Sequence, residues 1–223
     1  MDPSVPLREI YAGSAVYPEK PMKHSLAMVL AALLLWSGAP AHAQAWHGVE
    51  IDPRGLIRPQ LLASALDAYR QHETARLSSR SMAIVDFSKP SSQRRLYLVD
   101  LASGDVTSFL VAHGRGSDLD HDATADTFSD AMGSHASSLG AFRAAARYAG
   151  AHGLSLALDG LDASNRSARE RAVVVHSQWY VSDRMVEEHG RLGRSWGCFV
   201  VDPAVVEALV GHLEGGGFLY AGR

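Results

Sequence analysis

From residue 59 onward the chain alternates between two hydrophobic periods. After Pro59, the apolar residues Leu61, Leu62, Ala65, Leu66 and Tyr69 recur three and four apart. That spacing predicts an amphipathic helix, opened by its proline and running to about Leu77. Residues 45–58 before it carry no period and read as an irregular lead-in. The pattern then shortens. Residues 82–87, 96–100 and 106–112 read as strands, separated by Lys89-Pro90-Ser91-Ser92 and Ala102-Ser103-Gly104-Asp105, both turn compositions. Three short strands with tight turns predict an antiparallel meander.

Residues 118–138 are rich in Asp, Ser, Thr and Gly and predict a long surface loop, the kind of segment that often carries function. Strands are expected at 139–146, 154–158 and 172–176, although the alanines of the first suit a helix equally well. Residues 164–170 are expected to form a short helix. Asp202-Pro203 reads as an N-cap with a helix-opening proline ahead of the stripe Val205, Val206, Leu209, Val210 and Leu213. Three glycines at 215–217 stop that helix, and residues 218–220 return as a last strand. The fold class expected is mostly β, with flanking helices around one core.

The N-terminal pattern is of another kind. Met22-Lys23-His24 precedes an apolar run from 25 to 36, then Ser37-Gly38-Ala39-Pro40 and the small-x-small triplet Ala41-His42-Ala43. The run is too short to span a bilayer core of roughly 30 Å as a helix, and it predicts a secretory signal cleaved near Ala43. Residues 1–21 then lie upstream of a complete signal, as expected of a start site assigned too early or of an extension. The organisation expected is 1–21 as that upstream segment, 22–43 as signal, 44–81 as lead-in and helix, and 82–223 as the main domain. The expected location is the periplasm, with no transmembrane segment in the mature chain.

Composition narrows the function. A length of 223 residues suffices for one sizeable core, and a net charge of -3 removes the basic excess that nucleic-acid binding uses. The chain has a single cysteine, Cys198, so it closes no disulfide within itself. A lone thiol in an oxidising compartment is buried, paired with another chain, or kept for chemistry.

Its neighbours point to chemistry. Residues 172–176 form an apolar run that delivers His176 at its end. Twenty-two positions later, Gly193-Arg194-Ser195-Trp196-Gly197-Cys198 sets the thiol in a glycine-containing loop. A histidine within reach takes the proton of a thiol whose pKa is about 8.5, and Arg191 and Arg194 favour the thiolate. Gly197 admits a close backbone approach. The amides of Gly197 and Cys198 are candidate oxyanion donors, a contribution of roughly 3–4 kcal/mol in hydrolases. His113, His121, His135 and His152, with Asp118, Asp120 and Asp122, match no zinc spacing and no calcium-loop pattern, so no metal is expected.

The order of His176 and Ser195-x-Gly197-Cys198 resembles the His…S-x-G-C signature of the L,D-transpeptidase catalytic domain, the YkuD-like fold. The resemblance is closest to its murein L,D-transpeptidase subgroup and spans about 82–220. It includes Val111-Ala112-His113-Gly114, Thr127-Phe128-Ser129, Gly133-Ser134-His135-Ala136-Ser137-Ser138-Leu139-Gly140, Tyr148-Ala149-Gly150-Ala151-His152-Gly153, Asp159-Gly160-Leu161 and the run from Gly190 to Cys198. It implies a β-sandwich or barrel and an exported enzyme acting on peptidoglycan stem peptides. Cys198 would attack the carbonyl before a terminal D-alanine, and a neighbouring amine would resolve the thioester. On this resemblance Cys198 is the nucleophile, His176 the general base, and Ser195 and Gly197 shape the loop. Arg194, Arg191, His113, Ser177 and Trp196 are candidate substrate contacts, and no cofactor is implied. Ser177, Phe199 and Val200 stand where the family pattern favours Gly, Pro and Arg. The group that orients His176 is open between a backbone carbonyl and Ser177. The alternatives are an L,D-carboxypeptidase, with water as acceptor, and a wall-binding module without catalysis.

Overall fold

The computed structural model describes residues 44–78 and 80–223. The expected signal segment lies outside the described residues. The chain begins with a small antiparallel hairpin, β1 (Gln44–Trp46) and β2 (Val49–Ile51), where an irregular lead-in was expected. Helix α1 (Pro59–Gln71) opens on its proline as predicted but ends earlier than Leu77, passing into a short 3-10 turn at Glu73–Ala75.

The remaining strands are β3 (Ser81–Asp86), β4 (Leu96–Asp100), β5 (Val106–Phe109), β6 (Gly140–Gly150), β7 (Gly153–Gly160), β8 (Val174–Ser177), β9 (Phe199–Val201) and β10 (Phe218–Gly222). They form one sheet in the order β5-β4-β3-β10-β6-β7-β8-β9. The predicted meander is β3-β4-β5, antiparallel throughout. The last strand inserts parallel to β3 and antiparallel to β6, which makes β3 and β10 central. Beyond β5 the chain continues to Ala112, whose N–H donates to the Val200 carbonyl in β9 at 2.9 Å. The two ends of the sheet thus meet, and the sheet curls nearly closed.

Period-two alternation divides the central strands between two cores. Ala83, Val85, Leu96, Leu98, Leu219 and Ala221 point into the curl. There they meet Val175, Phe199 and Val201 and the stripe Val206, Leu209, Val210 and Leu213 of α3 (Val206–Leu213). Met82, Ile84, Tyr97, Val99 and Phe218 point outward and are covered by Leu61, Leu62, Ala65, Leu66 and Tyr69 of α1. The amphipathic helix therefore seals the sheet's outer face.

Three expectations are corrected. Residues 163–172 are successive turns and not a helix, because Asn165 is drawn inward, its amide donating to the Leu139 and Ala141 carbonyls at 3.1 and 2.9 Å. Asp202 does not cap α3. Its carboxylate accepts from the Ala204 amide at 2.7 Å in a preceding turn, and the helix starts at Val206. Residues 110–112 leave the ladder of β5, which ends at Phe109. Two elements had no forecast: β9, and helix α2 (Asp183–His189), capped by the Ser182 hydroxyl accepting from the Met185 amide.

Arg58, just ahead of α1, ties the helix to the sheet through Asp86 at the end of β3, at 2.8 and 3.0 Å. Burial pushes the Asp86 carboxyl up, but hydrogen bonds from Arg58 and Ser88 outweigh it and hold it below its ordinary 3.8. Asp86→Asn is expected to destabilise the protein by about 2 kcal/mol, moderated because Arg58 is partly exposed. A carboxyl depressed by folding stabilises above its unfolded pKa and loses that contribution as pH falls through the folded value. Urea titrations at about pH 7 and about pH 3 should therefore show wild type and variant converging in acid.

Candidate active site

Strand β8 alternates Val175 into the core with Val174 and His176 on its other face, with Val173 before it also inward. Strand β9 pairs with it in parallel, Val175 opposite Phe199 and His176 opposite Val200. Residues in register share a face, so Cys198, immediately before β9, falls beside Val174 and on the side of His176. The two residues picked out in the sequence line one cleft of about 590 Å³. Tyr148, His152, Arg171, Tyr180, Arg194 and Trp196 also line it. A separate depression of about 470 Å³ between the β1–β2 hairpin and α1, lined by Trp46, His47, Tyr69, Arg70 and Glu73, holds no nucleophile.

Phe199 and Val200, the two departures after the cysteine, take opposite sides of β9. Phe199 packs against Phe87 and Phe142, with ring centroids 6.1 and 5.3 Å away. Val200 is buried with Leu110 and Ala112. Both are packing residues.

The Ser195–Cys198 loop is held from within and from below. The Ser195 hydroxyl donates to the Cys198 carbonyl at 2.8 Å and accepts from the Gly197 amide at 3.1 Å. Ser195 N–H donates to the His113 carbonyl at 2.9 Å, and the Ser195 carbonyl accepts from Arg115 N–H at 2.8 Å. Gly197 sits at φ +114°, and a Cβ there would lie 2.8 Å from the Ala136 carbonyl oxygen and 3.0 Å from the Arg171 guanidinium. Only glycine fits. The Gly197 N–H, one of the two oxyanion donors expected from the sequence, donates here to the Ser195 hydroxyl.

His176 is almost fully buried, and its Nδ1 lies 3.1 Å from the Ser177 carbonyl. A proton on Nδ1 donated to that carbonyl leaves Nε2 as the free base. Of the two orienting groups left open by the sequence, this contact engages the backbone carbonyl. Burial lowers the His176 pKa from 6.5, opposed by the Ser177 carbonyl and reinforced by the neighbouring His152. Cys198 is partly exposed, and its thiol reaches the Ala172 carbonyl at 3.6 Å. Burial raises its pKa above 9.0, against the Val174 amide and the Arg171 charge, which favour the thiolate. Both shifts run toward the neutral forms of thiol and imidazole.

The cationic side chain nearest this chemistry escaped the sequence reading. Arg171 is 4% exposed, donates to the Ser129 carbonyl at 2.8 Å and to the Ala136 carbonyl, and backs Gly197. It lies in the 163–172 turns with no local motif to mark it. Of the other candidates, Arg194 lines the cleft and donates to the Asp118 carbonyl. Trp196 is exposed at the rim, stacked on His135 at 4.7 Å. Arg191 is exposed and off the cleft lining.

His113 is also off the lining, at 1% exposure, because its ring bridges two buried charges. Its Nδ1 accepts from Arg95 at 2.8 Å and its Nε2 donates to Asp118 at 3.0 Å. Burial, with Arg95 beside it, lowers its pKa to about 4 and keeps the ring neutral. The substrate contact expected of His113 is thus replaced by support beneath the loop. The carboxylates of Asp118, Asp120 and Asp122 come within 4.8 Å of one another. Both Asp118 oxygens are already taken, by His113 and by the Asp122 amide.

A curled, mostly β domain with an imidazole at the end of one strand and a thiol just ahead of its neighbour, both lining one cleft, defines the class. The chain belongs to the L,D-transpeptidase catalytic domain family, whose model matches residues 54–221. Among solved structures, it is similar to the L,D-transpeptidase LdtMt1 in complex with imipenem (14% identity, TM-score 0.38, covering 64% of this chain and 59% of that one). It is also similar to an L,D-transpeptidase from Mycobacterium smegmatis (12%, 0.38, 65% and 59%). A third is the L,D-transpeptidase, residues 123-326, from Xylanimonas cellulosilytica (15%, 0.36, 69% and 68%). The chain spans less than two thirds of the length of the first two. No curated protein sequence matches it. Among the described residues, no helix is long and apolar enough to cross a membrane.

Two measurements test this geometry. Alkylation of Cys198 by iodoacetamide should keep accelerating past pH 9.0, because the thiol must first ionise against its surroundings. A rate already at plateau near neutral pH would mean a preformed thiolate. Gly197→Ala should slow alkylation roughly tenfold or more at about pH 8, with a thermal transition still cooperative.

Proposed function

We propose that the protein is an exported peptidoglycan L,D-transpeptidase that works through a Cys198 thioester. The observation that carries this reading is the placement of the single cysteine and His176 together on the floor of one cleft, in a chain of this family. His176 Nε2 takes the thiol proton as the sulfur attacks the carbonyl preceding a terminal D-alanine. The C–N bond breaks, and His176 returns the proton to the departing amine. The amine of a second stem peptide then attacks the thioester, losing its proton to the same base, and the thiol is restored.

A neutral pair suits this sequence of events. The imidazole is free to accept a proton at neutral pH, and charge develops only as the thiol gives up its proton and attacks, where Arg171 and the Val174 amide favour it. The amide of Cys198 is the oxyanion donor left once that of Gly197 is spent. Arg194, partly exposed in the cleft, is the contact for the carboxylates of the stem peptide.

Incubation with tetrapeptide muropeptides, followed by mass analysis, tests the reading. Wild type should release D-alanine and form dimers. Tripeptide monomers alone would assign water as acceptor, and no D-alanine release would sink the proposal. Cys198→Ala should abolish turnover and any imipenem adduct, and His176→Ala should lower kcat by roughly 10²–10⁴-fold. The acid limb of kcat/KM should lie below 6.5, following the direction in which burial moves His176.

A further inference from the structure

The His176 ring has a second neighbour that the acyl-transfer scheme does not use. His152, in the turn of the β6–β7 hairpin, lies face to face with it, ring centroids 4.5 Å apart and planes 20° from parallel. The Gln178 side-chain amide donates to His152 Nδ1 at 3.0 Å. Gln178 follows His176 by two residues and is itself anchored, its backbone N–H donating to the Val201 carbonyl at 3.2 Å. Ring stack, hydrogen bond and chain therefore close a circuit through His176, Ser177, Gln178 and His152.

An exposed histidine in a hairpin turn is ordinarily a solvated side chain. This one is packed plane to plane on the base and bonded to the segment that carries it. The Ser177 carbonyl fixes one direction of the His176 ring. The stacked His152 ring lies against its plane.

We propose that His152 is a positioning residue for His176, holding the base's ring in its working plane through the stack and held there by Gln178. This rests on the reading of His176 as the general base. Two stacked imidazoles also resist carrying a charge together, and His152 contributes to the lowered His176 pKa. The other titratable groups on the cleft walls are Arg171, Arg194, Tyr148, Tyr180 and Cys198. Burial pushes Tyr180 up to about 12, so it stays neutral, and both arginines are bonded to backbone carbonyls.

The test compares His152→Ala, which removes the plane, with His152→Phe, which keeps it without nitrogen atoms. With muropeptide substrate, His152→Ala should lower kcat roughly 10–100-fold while KM stays within about 2-fold. His152→Phe should recover kcat to within about 5-fold of wild type. In both variants the His176 ring, followed by nitrogen-detected NMR, should titrate at higher pH than in wild type. Unchanged kcat in His152→Ala, a loss confined to KM, or a phenylalanine variant no better than alanine would overturn the proposal. If wild type turns over no stem peptide, the NMR titration still reads the coupling. A His176 midpoint unmoved in His152→Ala then overturns it, and a raised one sustains it.

Discussion

Strands β8 and β9 run parallel and in register, and this pairing brings His176 and Cys198 to one cleft. Each is short, four and three residues, and each is buried on both faces. Their inward residues Val175, Phe199 and Val201 lock the register by packing into the main core. A slip of one residue would turn those side chains out and carry His176 and Cys198 to opposite faces. The thiol and its base are therefore aligned by hydrophobic packing on the far side of the same strands.

Beneath that pairing lies a polar framework that makes no chemistry of its own. Arg95, wholly buried, donates to the Val111 and Lys89 carbonyls and to His113, which passes the contact on to Asp118. Burial lowers the Arg95 pKa to about 9, still cationic at neutral pH. A charge in such a place is tolerated because each guanidinium nitrogen is hydrogen-bonded and an anion lies one imidazole away. The backbone of the same 113–118 segment grips Ser195 and Arg194, so the framework and the cysteine loop are tied together.

The electrostatics of the cleft follow from burial more than from formal charge. Desolvation acts on thiol and imidazole alike and favours the neutral form of each. Arg171 and the Val174 amide offset this for the sulfur without reversing it. Under the proposed thioester chemistry, these groups would act on charge that appears during reaction, the arrangement under which preorganised dipoles contribute most.

Much of this was legible in the residues themselves. The meander, α1, the final strand and the pairing of a strand-end histidine with a glycine-flanked cysteine depend on local periodicity and short motifs. So does the role of Ser195 and Gly197 in shaping the loop. Tertiary structure alone decided the rest, because it turns on contacts between residues far apart in the chain. Arg171 backs the nucleophile loop, and His152 reaches His176 from a hairpin turn; nothing near either one in sequence announces it. His113 and Arg191 carried suggestive local contexts, yet one was drawn into the interior by Arg95 and Asp118 and the other left outside the cleft. Protonation state belongs to the same group. It depends on how much water the fold removes around a side chain, which no spacing of residues records.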